Sequence, residues 1–378
     1  MRHQDHLSIV VLATLVGACG GMGERRDGGA SAGDTGVAAG PFVPVAIEQV
    51  IDSLVHAITE KNLAPSAKPA VAMLLKDVTG FWLPIAIGAD RMSGRLVCPK
   101  VVEAPLIIDE SVPEDDKAVV QNTYIQKYLD EGIYQAMAVA PFSATGESVD
   151  YLDAFVAKCG PVVTIDSDSP DSLRSYNIGT ANYRAGATAA LTLSNVLSPG
   201  DTVAVFGTTD ASWVSGMERA RGAEDGARAA GLQVAPRIPV VWNTTTDLES
   251  ITAAISDAEL NIKGLLCMYS NSDRCAAAVE AVGKKGAIQI VGFDLEGDTK
   301  KYFDQGYFYG IAVQRQYYMG ALGILVPYSI EALGPARTAE LLQPILVDGF
   351  LVDTGIDIIT SDTFEGYVAY LSSLGINP

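Results

Sequence analysis

From Val45 onward, apolar residues recur first at helical and then at strand spacing, and the two patterns alternate along most of the chain. Ile47, Ile51, Leu54, Val55 and Ile58 fall on one face of a helix, which Pro65 and Pro69 bring to an end. Ala70–Leu75 is a short, continuously apolar run of the kind that forms a buried strand, and Trp82–Arg95 reads as the helix after it. The rhythm continues through predicted strands at Ala104–Ile108, Ala136–Ala140 and Val162–Ile165, separated by helices at Glu114–Leu129 and Ser148–Lys158. It then starts again. Helix Ala185–Leu197 leads into strands at Thr202–Phe206, Ile238–Val241, Gly264–Cys267 and Gln289–Val291, with helices Trp213–Ala230, Leu248–Ile255 and Ala276–Gly283 around them. Strands apolar on both faces and separated by helices imply parallel sheets covered on both sides. The predicted fold class is α/β, with two doubly wound parallel-sheet lobes.

The first forty residues follow neither pattern. Leu7–Val16 is an apolar stretch behind Arg2, with the proportions of a secretory signal core and far short of the ~18 residues that cross a bilayer. Val16, Gly17, Ala18 and Cys19 follow in an order similar to a bacterial lipobox, so residues 1–18 are expected to be a signal peptide and Cys19 to carry lipid. Residues 20–40 are rich in Gly, Ala, Ser and Asp and bury too little to offset the entropy of ordering, which makes them a flexible linker. Gly29–Gly33 spells G-x-S-x-G, but the strand and helix that a nucleophile elbow needs are absent on either side.

The 378 residues are enough for two domains with sizeable cores. Lys and Arg number 26 against 45 Asp and Glu, a net charge of −19 that argues against nucleic acid or an anionic lipid surface as partner. Only His56 lies beyond the leader among the three histidines, and no phosphate loop, zinc-peptidase motif or strand-led dinucleotide motif is present. No enzyme activity, metal or cofactor is therefore expected. Cys98, Cys159, Cys267 and Cys275 form no C-x-x-C pair. Cys267 and Cys275 lie eight apart across a strand end and a helix start, and are either a disulfide formed in an oxidising exterior or free buried thiols.

In doubly wound sheets, ligands sit beyond the carboxyl ends of the strands. The residues there are Asp77, Thr79, Phe81 and Trp82 after the first strand, Asp166 and Asp168 after Val162–Ile165, Asn271 after Gly264–Cys267 and Asp294 after Gln289–Val291. Carboxylates accept hydrogen bonds from vicinal hydroxyls, and aromatic faces cover the C–H side of a sugar ring. The set suits a neutral, polyhydroxylated ligand.

These residues resemble those of the periplasmic sugar-binding proteins of ABC transporters, the ribose and galactose type with the type I fold. The resemblance runs from about Ala70 to Asp362 and is most specific in VVTIDSDSPDSLRSYNIGTANYRAG (Val162–Gly186), MERARGAEDG (Met217–Gly226) and IVGFDLEGDTKKYFDQGYFYGIAVQRQYYMG (Ile290–Gly320). It implies that Phe81 and Trp82 stack on the sugar and that Asp166, Arg219, Asn271, Asp294 and Gln314 bind its hydroxyls. Family members of the ribose type often follow the aspartate at Asp166 directly with arginine, where this chain has Ser167 and then Asp168; a second arginine would fall on Met217. The Asp166, Ser167, Asp168 and Arg174 spacing is also similar to autoinducer-2 receptors of the same superfamily, which adds Asp168 to the candidates and makes ribose itself doubtful.

The resemblance further implies three chain crossings near Ser175–Ala181, Ala312–Gln316 and Val352–Ile356, and with them a hinge. Residues 41–67 would form the leading helix, 68–176 plus 317–350 the N-terminal lobe, and 180–312 plus 356–378 the C-terminal lobe. The expected function is capture of a monosaccharide or polyol by a monomeric, lipid-anchored receptor in the periplasm or at the cell surface, and delivery to an ABC permease. The alternative is a signalling receptor of the same fold, autoinducer-2-like or chemosensory.

Overall fold

The computed structural model describes residues 42–98, 100–103, 114–211 and 213–377. The expected signal peptide, lipidated Cys19 and linker lie outside the described residues, as does the strand expected at 104–108.

A leading helix α1 (Val45–Glu60) precedes β1 (Val71–Leu74), α2 (Trp82–Leu96), β2 (Lys100–Glu103), α3 (Glu114–Glu131), β3 (Ala136–Val139), α4 (Glu147–Lys158), β4 (Val162–Ile165) and β5 (Tyr176–Gly179). The second run comprises α5 (Asn182–Ser194), β6 (Thr202–Gly207), α6 (Val214–Ala229), β7 (Gln233–Val234), β8 (Ile238–Pro239), α7 (Thr244–Ser256), β9 (Ile262–Cys267), α8 (Asp273–Ala281), β10 (Gln289–Phe293), α9 (Asp298–Asp304) and β11 (Gly310–Gln314). The chain then adds α10 (Gln316–Leu333), α11 (Pro335–Leu342), β12 (Leu346–Val347), β13 (Leu351–Asp353), β14 (Ile356–Ile359) and α12 (Phe364–Ser373). The edge strand is β2, ahead of the segment where the apolar pattern placed it. Helix α7 starts four residues before the apolar pattern does, because the Asn243 side chain caps it by accepting from the Thr246 N–H.

The first sheet has the order β12-β13-β5-β4-β3-β1-β2 and the second β14-β11-β10-β9-β6-β7, with β8 also on β6. Both contain the 2-1-3-4-5 order of doubly wound sheets, parallel throughout that part, so the carboxyl ends of each share one edge. Burial on both faces explains the continuously apolar strands: β1, β3, β4 and β5 are buried at every position.

The last strand of each sheet runs directly into a crossing. β5 passes through Thr180 and Ala181 to α5, β11 through Arg315 to α10, and β13 through Thr354 and Gly355 to β14. The crossings are bonded to one another. Asp353 Oδ1 accepts from the Ala181 and Gly355 N–H groups at 2.9 Å each, Thr180 Oγ1 donates to Gln314 Oε1 at 2.8 Å, and Arg315 grips Asp357 through Nε and Nη2 at 3.0 and 2.6 Å.

Two helix pairs are held closer than side chains allow. Helices α2 and α10 meet through Gly88 and Gly320, where an added Cβ would lie 2.0 Å from the Tyr317 carbonyl oxygen and 1.8 Å from that of Ile85. Helices α5 and α6 meet through Gly186 and Gly222, where it would lie 1.9 Å from the Arg219 and Tyr183 carbonyl oxygens respectively. An ordinary Gly→Ala change in a helix raises stability by up to about 1 kcal/mol. Gly88→Ala or Gly222→Ala is expected to do the reverse, costing about 1–3 kcal/mol through overpacking, as read by urea unfolding. A gain in stability would show that these helices do not meet backbone to backbone.

Candidate functional site

Asp166 follows β4 and Asp294 follows β10, the equivalent places in the two sheets. Each adopts the left-handed backbone region, with φ of 62° and 59°, which aspartate tolerates better than most residues. Each still donates its N–H to the neighbouring strand, Asp166 to Ile178 O at 2.9 Å and Asp294 to Ala312 O at 2.8 Å. The strand ends abruptly while the carboxylate is turned out at its carboxyl edge.

Arg219 joins them from α6. The Gly186–Gly222 contact sets α6 against α5, and the Arg219 side chain, 7% exposed, lies inside the second lobe. Its Nε and Nη2 donate to Asn182 Oδ1 at 2.8 and 2.6 Å, its Nη1 to the Met268 carbonyl at 3.2 Å, and its guanidinium lies 3.8 Å over the Phe293 ring. Burial lowers its pKa, an effect opposed by the charges of Asp294 and Asp166. Gln314 completes the group: its Nε2 donates to the two Asp294 oxygens at 3.2 and 3.4 Å while its Oε1 is held by Thr180.

Burial pushes Asp294 up to about 6, against the stabilising charge of Arg219 and the Gln314 hydrogen bond. Asp166 is also raised by burial, although part of its surface stays open, with Lys76 and Arg219 opposing. Lys76 donates to Ser167 Oγ at 2.8 Å, and that hydroxyl donates to Asp166 at 3.3 Å.

Asn271 stands on the loop between β9 and α8. Its Oδ1 and Nδ2 are both buried with no hydrogen-bond partner among the described residues. The loop itself is pinned at both ends. Cys267 and Cys275 form a disulfide with Cα atoms 6.6 Å apart, and Ser272 Oγ accepts from the Phe293 N–H at 2.9 Å. The free-thiol alternative for this pair is thereby set aside.

The other candidates divide. Phe81 and Trp82 open α2 on the first lobe, their rings edge to face at 5.2 Å and both packed against its core. Asp168 is engaged elsewhere: Arg174 Nε and Nη2 donate to its two oxygens at 2.5 and 2.6 Å, and Thr164 Oγ1 adds a third bond at 2.8 Å. Thus Asp166, Arg219, Asp294 and Gln314 form one coupled network, with Asn271 on the same sheet edge as Asp294, while Asp168 serves the turn before β5.

Several residues in this region lacked a sequence signal. Trp213 after β6, Trp242 after β8 and Tyr269 after β9 gather at the same edge, with Trp213 stacked on Tyr269 at 4.8 Å and Trp242 5.3 Å from Trp213. Trp242 is 57% exposed and holds φ at 60°, a strained conformation for a bulky residue. Trp213 and Trp242 stand at strand ends beyond β6 and β8, and Tyr269 shares the loop after β9 with Asn271, so the strand-end rule applies to all three. Glu296, two residues past Asp294, is pushed up to about 7 by burial and by the negative charge of Asp294.

These carboxyl groups bind protons more tightly folded than unfolded, so the folded form gains protons between about pH 4 and 7. Between those limits stability is expected to fall as pH rises, and Asp294→Asn with Glu296→Gln to flatten the slope in pH-dependent urea unfolding. An unchanged slope would refute the assignment. For the disulfide, closing a loop of about nine residues is worth about 2.5 kcal/mol. Reduction, or Cys267→Ser with Cys275→Ser, is expected to lower the unfolding midpoint accordingly, and equal midpoints with and without reductant would count against it.

Comparison with known proteins agrees with this fold. Many solved structures share the fold, and three illustrate the similarity. A sugar-binding protein of a sugar ABC transporter from Bacillus halodurans has a TM-score of 0.67 and 20% identity, over 79% of this chain and 99% of that one. An ABC transporter solute binding protein from Burkholderia graminis, solved with D-arabinose, has a TM-score of 0.61 and 24% identity over 79% and 97%. An arabinose binding protein from Geobacillus stearothermophilus has a TM-score of 0.68 and 20% identity over 79% and 99%. No curated protein matches the chain significantly in sequence. A family model described as a periplasmic binding protein domain matches residues 71–330, and the chain belongs to that family.

Proposed function

We propose that the protein captures a monosaccharide or polyol between its lobes and delivers it to the permease of an ABC transporter. The observation that carries this reading is the buried Asn271 amide, with no hydrogen-bond partner among the described residues, on the same sheet edge as the Asp294–Gln314–Arg219 network. A buried amide left unpaired costs about 1–3 kcal/mol, and a ligand hydroxyl that both donates and accepts would recover it. Carboxylates at the carboxyl edges of both sheets then accept from further hydroxyls, while Phe81, Trp82 and Trp242 supply ring faces for the C–H side. Three known structures of the fold, named for transporters or for arabinose, agree with a sugar as the ligand and with transport as the destination.

Closure follows from the topology. The three crossings carry little covalent resistance to rotation, so a ligand touching both sheet edges favours the closed arrangement by its extra contacts there. The sequence before α1 fits export followed by tethering through lipid on Cys19, and Cys19→Ala is expected to move the protein from the membrane to the soluble fraction of cells.

A thermal-shift screen against D-arabinose, D-fucose, D-galactose, D-glucose and inositol tests the reading directly. A binder at 100 times its dissociation constant stabilises the fold by about 2.7 kcal/mol. Asp294→Asn keeps a residue that accepts the left-handed backbone but removes the charge, and should weaken the bound sugar about 10- to 100-fold by calorimetry. Affinity for it should also fall as pH drops through about 6, where Asp294 takes up a proton. No response to any of these compounds would sink the sugar reading.

A further inference from the structure

Beside the site proposed for the sugar lies a cavity of about 320 Å³. Asp166, Arg219, Asn271 and Asp294 do not line it, so it meets the polar network only at Gln314. Its walls come from both lobes and from the tail: Leu83 and Pro84 in the first turn of α2, Leu295 in the loop after β10, and Tyr367, Tyr370 and Leu371 on α12. Phe81, Glu296 and Gln314 also line it, and Gln314 donates to Asp294. The cavity therefore opens against the wall of the site proposed for the sugar.

Its chemistry differs from that of the proposed sugar site. The polar groups around it are mostly engaged with each other. Tyr370 donates to Tyr318 at 3.0 Å, Tyr318 to Glu48 at 2.6 Å, Arg315 holds Asp357, and Lys300 pairs with Asp304 at 2.9 Å. Apart from Glu296, Gln316 and Asn377, a guest meets ring faces and aliphatic carbon, with Leu83 still 46% exposed. A second sugar ring would lose hydroxyl hydration here without enough donors and acceptors to replace it, whereas an apolar group gains in proportion to the area it buries.

We propose that this cavity is a subsite for an apolar, ring-sized substituent on the bound sugar, so that the preferred ligand is a glycoside with an apolar aglycone rather than a free monosaccharide. The proposal rests on the sugar reading above, and the volume lies at the lower end of that of small-molecule sites.

Calorimetry on the purified protein with methyl and phenyl glycosides of D-arabinose and D-galactose, in both anomers, tests it. At least one phenyl glycoside should bind tenfold or more tightly than the methyl glycoside of the same sugar and anomer. Leu83→Trp, which fills the cavity, should bring that ratio close to one while leaving methyl glycoside affinity within about twofold; Leu371→Gln, which adds an amide to the wall without bulk, should lower it in the same sense. Equal affinity for phenyl and methyl glycosides, or a ratio that neither variant changes, overturns the subsite and leaves the sugar reading intact. Absence of binding by every sugar and glycoside overturns the sugar reading, and the subsite with it.

Discussion

Arg219 is a cation kept almost wholly inside protein, and the site is organised around that fact. An isolated buried charge is costly, so it persists only where opposite charge and hydrogen-bond acceptors surround it. Here Asp294 and Asp166 provide the charge, Asn182 and the Met268 carbonyl take the N–H groups, and the Phe293 ring covers one face. The carboxylates need the cation in turn: burial raises the pKa of each, and Arg219 opposes it in both. Asp166 and Asp294 stand on different sheets, which couples the electrostatics of one lobe to the other.

The lobes are built alike at the points that matter. The helix after a crossing begins Asn182-Tyr183-Arg184-Ala185-Gly186 in one and Gln316-Tyr317-Tyr318-Met319-Gly320 in the other. Each glycine lets a neighbouring helix approach to backbone contact, and the carbonyl of each tyrosine is what the opposing glycine accommodates. A left-handed aspartate ends β4 in the first sheet and β10 in the second. Close helix packing fixes where Arg219 stands relative to its strand, and the left-handed turn fixes where each carboxylate points. Position in the site is thus set by backbone contacts, which are stiffer than side-chain packing.

Between the lobes the constraint is different. The crossings share hydrogen bonds through Asp353, through Thr180 with Gln314, and through Arg315 with Asp357. Gln314 belongs both to these crossings and to the network around Asp294, so a change at Asp294 is felt directly at a crossing. The tail adds to the same region, since Tyr370 on α12 reaches α1 through Tyr318 and Glu48. These contacts tie segments far apart in the chain.

Sequence alone determined the fold class and most of the candidate site. Apolar runs of four to six residues between amphipathic stretches have one economical solution, a parallel sheet covered on both faces, and the strand-end rule then singles out Asp166, Asn271 and Asp294. The strands β5, β11 and β13 coincide with the crossings in the sequence, because they lead straight out of their sheet without a helix of their own lobe to bracket them. Asp168 and Asp166 are two residues apart and alike in composition, and the fold separates them, with Arg174 holding both oxygens of Asp168. Trp213, Trp242 and Tyr269 come from three separate loops, and the cavity behind Phe81 takes its walls from residues nearly 300 positions apart. Such groupings depend on which chain segments meet in space, and periodicity, a local property, carries no record of that.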